Sequence, residues 1–147
     1  MEAQASTASH TIEKWSPSPD ASDIVKRIHA MLHPRNIVLV GASGAGQVAK
    51  ACNQIVVAVT IQAVAEAMIF ARQQGVDAGK VRDALMGGFA GSKILEVHGK
   101  RMLDNDFKPG FKTKLHHKDL KIVIDSAHAI GVGLPATALV AQQMNAL

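Results

Sequence analysis

Lys50 and Asn53 stand three residues apart in G-Q-V-A-K-A-C-N-Q. On a helix, positions three apart share a face, so an ammonium and a carboxamide would lie side by side. A reaction that builds negative charge on an oxygen needs an acid nearby to supply a proton as that charge forms. A lysine does this when burial or a neighbouring cation brings its amine toward the working pH. A carboxamide one turn further on could hold a substrate carboxylate or hydroxyl. A second cation, Lys118, lies in L-H-H-K-D-L, directly before Asp119. Each residue also has a structural alternative. Lys50 can snorkel from a helix end, Asn53 can satisfy backbone groups in a core, and Lys118 can pair on the surface with Asp119.

The element that carries Lys50 and Asn53 is legible. A glycine-rich turn, G-A-S-G-A-G over 41–46, opens into a run from Gln47 to Gln74 with neither Pro nor Gly. Ala, Gln, Met, Glu and Arg fill much of it and favour helix; at helical rise it would span roughly 40 Å. Polar residues, among them Gln54, Thr60, Gln62 and Glu66, are scattered through apolar ones. A helix apolar on most sides belongs inside a larger protein or between subunits. Gly75 predicts its C-cap, and Asp77 caps a second helix over Ala78–Met86.

Ser92 begins a third helix running to about Leu103, with Ile94, Leu95, Val97, His98 and Met102 turned inward. A loop over 104–110 comes next. A fourth helix over 113–130 is expected to bury Leu115, Leu120, Ile122, Val123, Ala127 and Ile130. After Gly131, Gly133 and Pro135, a last helix starts at Ala136 and is cut short by the chain end. Ahead of the glycine turn, N-I-V-L-V at Asn36–Val40 reads as a short buried strand, and residues 22–32 as a short helix. Met1–Asp20 is rich in Ala, Ser, Thr and Pro, with Trp15 its only large anchor, and reads as a disordered or loosely docked tail. The expected fold is all-α, built on one long central helix, with a tail and short helix over 1–35 and a helical domain over 36–147.

Composition narrows the function classes. The chain of 147 residues is 48% hydrophobic but only 3% aromatic, which suits a helical core of Ala, Val, Ile, Leu and Met. Its net charge of +4 is not gathered into a block and lacks interleaved aromatics, so nucleic acid is not an expected partner. Cys52 stands alone, which rules out a disulfide framework and a cysteine zinc site and favours a reducing compartment, the cytoplasm. The most apolar window, 51–71, would bring Asn53, Gln54, Gln62 and Glu66 into hydrocarbon, so no membrane span is expected. The N-terminus lacks a basic region followed by an apolar run and does not read as a secretory signal.

Several motif readings fail on their own chemistry. A phosphate-binding loop of the Walker type needs Lys then Ser or Thr after its second glycine; Gln47 and Val48 stand there. A dinucleotide fingerprint needs G-x-G-x-x-G, a short helix and a second strand ending in an acid; here the order is G-x-x-G-x-G and Glu66 falls inside the long helix. His116 and His117 are adjacent, not spaced to share a metal, and His98 and His128 have no evident ligand partners, so no metal is expected. Ser92 lacks G-x-S-x-G spacing and is a helix cap.

From Gly41 onward the chain resembles the C-terminal helical domain of the β-hydroxyacid dehydrogenase family, and within it the tartronate semialdehyde reductase branch. The resemblance rests on G-A-S-G-A-G-Q-V-A-K-A-C-N-Q, L-M-G-G-F-A-G-S-K-I-L-E-V-H-G, F-K-P-G-F, L-H-H-K-D-L and L-P-A-T-A, in that order. It implies a helical domain of the 6-phosphogluconate dehydrogenase-like type, with Lys50 as catalytic proton donor, Asn53 as substrate contact and Lys118 as cofactor contact. It implies NAD or NADP, a small hydroxy or oxo acid substrate, and either a homo-oligomer or association with a Rossmann-containing relative. Where the branch usually carries Gln, this chain has His117. The first forty residues do not resemble the family's Rossmann domain, so the resemblance implies a helical half not active by itself. A non-catalytic helical dimerisation module is the rival reading.

Overall fold

The computed structural model describes residues 40–146. The expected tail, Trp15 and the short helix lie outside them, as does all of the expected strand but Val40, which has no regular structure. Among the described residues the ordered elements are helical. The chain divides into two compact units, Met1–Gly46 and Gln47–Leu147. The described end of the first is the glycine turn, where the Ala45 N–H donates to the Ala42 carbonyl at 3.0 Å.

The long helix α1 runs Ala45–Gln73, and its 29 residues span about 44 Å at ordinary helical rise. Gln54, Ala58, Val64, Met68 and Ala71 are buried along it, with half-buried Ile61 filling the gap, so steps of three and four draw one stripe down the rod. That stripe serves two separate cores. Toward the C-terminal end, Val64, Met68 and Ala71 pack with Ala78 and Leu95. Toward the N-terminal end, Ala58 packs with Leu120, Val140 and Ala141.

Local chemistry sets the boundaries. α1 ends where Gly75 takes a φ of 71°, letting Val76 N–H reach back to the Ala71 carbonyl at 3.0 Å. Asp77 then caps α2 (Ala78–Met86), accepting from the Gly79 and Lys80 amides at 2.8 and 3.2 Å. The Ser92 hydroxyl accepts from Leu95 N–H at 3.0 Å, as a cap should.

The segment after Ser92 is not a plain α-helix. Leu95–Gly99 forms a π-helical turn that continues into α3 (Lys100–Leu103). The extra residue of a π turn rotates the side chains around it relative to a plain helix: Leu95 and Gly99 are buried, whereas Val97, expected inward, is exposed. Arg82 of α2 supports the turn, donating through Nε to the Leu95 carbonyl at 3.2 Å and through Nη2 to the Glu96 carbonyl at 2.8 Å. Gly99 permits close approach, since a Cβ there would lie 3.3 Å from Leu95 Cδ1 and 3.5 Å from Val64 Cγ1.

α4 (Thr113–Ala129) buries His116, Leu120, Val123 and Ala127 and packs against α5 (Pro135–Met144), which buries Thr137, Val140 and Ala141. Leu115, Ile122 and Ile130, expected inside, are exposed, because the buried stripe follows His116 rather than its apolar neighbour. Val56, Ile69 and Phe70 of α1 are exposed as well. By length and apolarity α1 would pass for a membrane span, yet Gln54 within it is buried against protein and hydrogen-bonded there.

Removing the Arg82 donors while keeping its stem, as in Arg82→Met, takes away two charge-assisted hydrogen bonds to carbonyls of the π turn. The expected loss is about 1–3 kcal/mol, read by urea denaturation. Leu120→Ala, at a side chain with no exposure, should cost about 2–5 kcal/mol in the same assay.

Candidate functional site

The first turns of α1 carry Lys50, Asn53 and Gln54; the second turn of α4 carries Lys118 and Asp119. A hydrogen bond from Gln54 Nε2 to Asp119 Oδ2, 2.7 Å long, ties the two helices. On one side of it Asn53 Nδ2 donates to Gln54 Oε1 at 3.3 Å. On the other, Lys118 Nζ lies 2.9 Å from Asp119 Oδ1. Below, His116 Nε2 stands 3.3 Å from the Gln54 backbone carbonyl, a contact that makes Nε2 the donor. Asn53 and Lys118, far apart in sequence, thus belong to one polar network.

The Asp119 carboxyl is held below its ordinary pKa of 3.8. The Lys118 hydrogen bond is the largest cause, followed by that from Gln54, with burial opposing and the Lys118 and Lys50 charges helping. Lys50 supplies the smallest of these effects. It is itself exposed, as is Asn53. The described residues do not bury Lys50, because the N-terminal turns of α1 project past the stripe that starts at Gln54.

A groove of about 970 Å³ lies on the other side of the same junction, lined by Gln54, Ile61, Met102, Phe111, His116 and Met144 among others. Lys50, Asn53 and Lys118 do not line it. Gln54 and His116 face both the groove and the polar network. Sequence reasoning singled out neither Gln54 nor Asp119 as a functional residue. The available signals were Gln54 lying four residues after Lys50, one turn along the same face, and the acid that directly succeeds Lys118. Among the described residues, no group of three or more His, Cys, Asp or Glu could hold a metal ion.

A long helix bearing Lys-x-x-Asn is thus tied, through the next residue, to a Lys-Asp pair on α4. Residues 44–147 match the family described as NAD-binding of NADP-dependent 3-hydroxyisobutyrate dehydrogenase. The chain belongs to this group, the β-hydroxyacid dehydrogenase family, through its C-terminal helical domain. It is 53% identical over 111 residues to the 2-hydroxy-3-oxopropionate reductase of Escherichia coli, covering 76% of this chain and 38% of that one. It is 42% identical over 104 residues to "Probable 3-hydroxyisobutyrate dehydrogenase-like 1, mitochondrial" of Arabidopsis thaliana, covering 71% of this chain and 31% of that one. The solved structure of Mycobacterium tuberculosis 3-hydroxyisobutyrate dehydrogenase with L-serine superposes with a TM-score of 0.67 at 35% identity, over 82% of this chain and 45% of that one. The chain thus spans less than half the length of each of these relatives.

The described residues suit a nicotinamide cofactor as an edge. Lys118 presents an ammonium with 62% of its side chain exposed, fit for a phosphate or ribose hydroxyl. The glycine turn lacks the fingerprint that would cradle a pyrophosphate.

Acid should weaken the α1–α4 junction in a defined window. With its folded pKa lowered, Asp119 contributes stability that is complete above 3.8 and is lost as pH falls through the lower folded value. Melting temperature followed from neutral pH into the acid range should show this loss, and Asp119→Asn should flatten that part of the curve.

Proposed function

We propose that this chain is the substrate half of an NAD(P)-dependent reductase that interconverts a small hydroxy acid and its oxo acid, of the tartronate semialdehyde and glycerate type. The observation that carries the reading is the Gln54–Asp119 hydrogen bond, which brings the Lys50–Asn53 face of α1 to the Lys118–Asp119 pair of α4. Those residues span the functions such a reaction requires. Lys50 is the proton donor to the carbonyl oxygen, and its ammonium also offsets the charge forming there. Asn53 orients the substrate through the carboxamide groups that Gln54 leaves free. Lys118 holds the ribose or phosphate side of the cofactor, while Asp119 limits its swing. The bound nicotinamide supplies hydride.

Exposure of Lys50 and Asn53 supports a divided site. A proton donor facing open water works poorly, because water competes for both the proton and the charge. A nucleotide-binding domain closing over this end of α1 would exclude that water, so the helical half acts with a Rossmann-containing partner and not alone. Val56, Ile69 and Phe70, exposed along α1, and Leu115 and Ile122, exposed on α4, are the apolar surface available to such a partner or to a second copy. The same residues favour the second reading, a helical association module without catalysis. In either case the chain acts as a soluble protein in a reducing compartment, the cytoplasm. It needs neither metal nor nucleic acid.

Two measurements separate the readings. Purified chain given NADPH and tartronate semialdehyde should be inactive alone and should gain turnover when mixed with the separately expressed nucleotide-binding half of the E. coli relative. Lys50→Ala should then lower kcat by about 10²–10⁴-fold, and Asn53→Ala should act mainly on KM. Turnover indifferent to Lys50→Ala would remove the assigned role. No turnover in the mixture, with a tight dimer in sedimentation, would leave the association module. The sedimentation arm carries its own expectation: Phe70→Glu should shift self-association toward monomer without changing helicity by circular dichroism.

A further inference from the structure

Gln54 joins the two sides of the network, and its chemistry has a direction. Its side chain is buried, at 7% exposure. A carboxamide has an accepting end and a donating end, and its partners decide which faces where. The Asp119 carboxylate only accepts, so it draws the Nε2 end of Gln54, at 2.7 Å. Oε1 is left turned to Asn53, whose Nδ2 donates to it at 3.3 Å. If Gln54 were turned over, its oxygen would oppose a carboxylate and its NH₂ would oppose that of Asn53. The Gln54 carbonyl, held by His116 Nε2 at 3.3 Å, fixes the backbone from which this side chain departs. With one Nδ2 hydrogen committed to Gln54, Asn53 offers its other hydrogen and Oδ1 to a ligand.

We propose that Gln54 is a positioning residue: it passes the polarity of the Asp119 carboxylate across the α1–α4 contact and thereby fixes which end of the Asn53 carboxamide a substrate meets. This rests on the reading of Asn53 as a substrate contact. The device is needed because Asn53 is exposed. A free surface carboxamide turns over readily and would present donor and acceptor interchangeably. One anchored by a charge relayed from the neighbouring helix presents a single arrangement, which is the preorganisation that selective binding requires.

The relay can be read without substrate or cofactor, by ¹⁵N NMR of the side-chain amides in the full chain. Gln54→Glu sets two carboxylates against each other. The new side chain still has an oxygen for Asn53, but repulsion from Asp119 turns it out of place, so the Asn53 Nδ2 signals should move and exchange with water about tenfold faster. Gln54→Glu combined with Asp119→Asn exchanges carboxylate and carboxamide while preserving their sizes. The introduced carboxylate then accepts from both neighbours, and the Asn53 signals should return to their original positions and rate. A residue that merely fills space would not show this rescue. Asn53 signals indifferent to Gln54→Glu, or displaced and not restored by the exchange, would overturn the proposal. If Gln54→Glu alone does not fold, the exchanged pair decides: folding with the original Asn53 signals supports the relay, and anything else refutes it. If instead the relay holds but Asn53→Ala leaves KM unchanged in the reconstituted reductase, the substrate reading falls and the relay stands.

Discussion

A carboxamide shut away from water must find partners, and leaving one unmet costs about 1–3 kcal/mol. Gln54 is under this constraint, and the contact between the N-terminal part of α1 and α4 is arranged around it. Slipping α1 by one residue would turn Gln54 through about 100°, away from Asp119 and from the α4 surface. Its bond to Asp119 therefore fixes the register of α1 on α4. Asn53 and Lys50, one residue and one turn away, are carried into place by that register, while Lys118 is placed by its position beside Asp119.

The apolar packing around this junction is modest. Ala58, Val140 and Ala141 are small, and Leu120 is the large side chain fully sealed among them. Small residues let helices approach closely, which suits a short amide-to-carboxylate bond, but they bury little area each. The larger apolar side chains of α1 point elsewhere: Val56, Ile69 and Phe70 face outward. The division is consistent with a chain that matches well under half of its relatives' length, since surface left bare here is of the kind that further protein covers.

The parts of the fold set by near neighbours were readable from sequence. Gly75, Asp77 and Ser92 act within five residues of themselves, and each does in the structure what its type predicts. The long helix could be read from composition alone. The parts set at a distance were not readable. The π turn depends on Arg82, thirteen residues from the carbonyl it holds, and it reversed the expected orientation of Val97. On α4, the apolar pattern favoured Leu115, Ile122 and Ile130, but His116 entered the core because the Gln54 carbonyl could satisfy its ring. For the site, Lys50 and Asn53 were visible as a pair on one face, and Lys118 through its motif. Gln54 and Asp119 were not singled out, because a bond between residues 65 apart leaves no local trace. Where along α1 the packed stripe begins was not readable either, because helix composition does not say how far it extends.

That stripe feeds two cores joined by little except the rod itself. Such a molecule has no reason to open all at once. The Met68 end holds the larger side chains and the guanidinium-braced π turn, whereas the Ala58 end, with α4 and α5, is packed largely by small ones; local opening follows such differences in buried contact. Amide protons near Lys50 should therefore escape into solvent while those near Met68 are still protected.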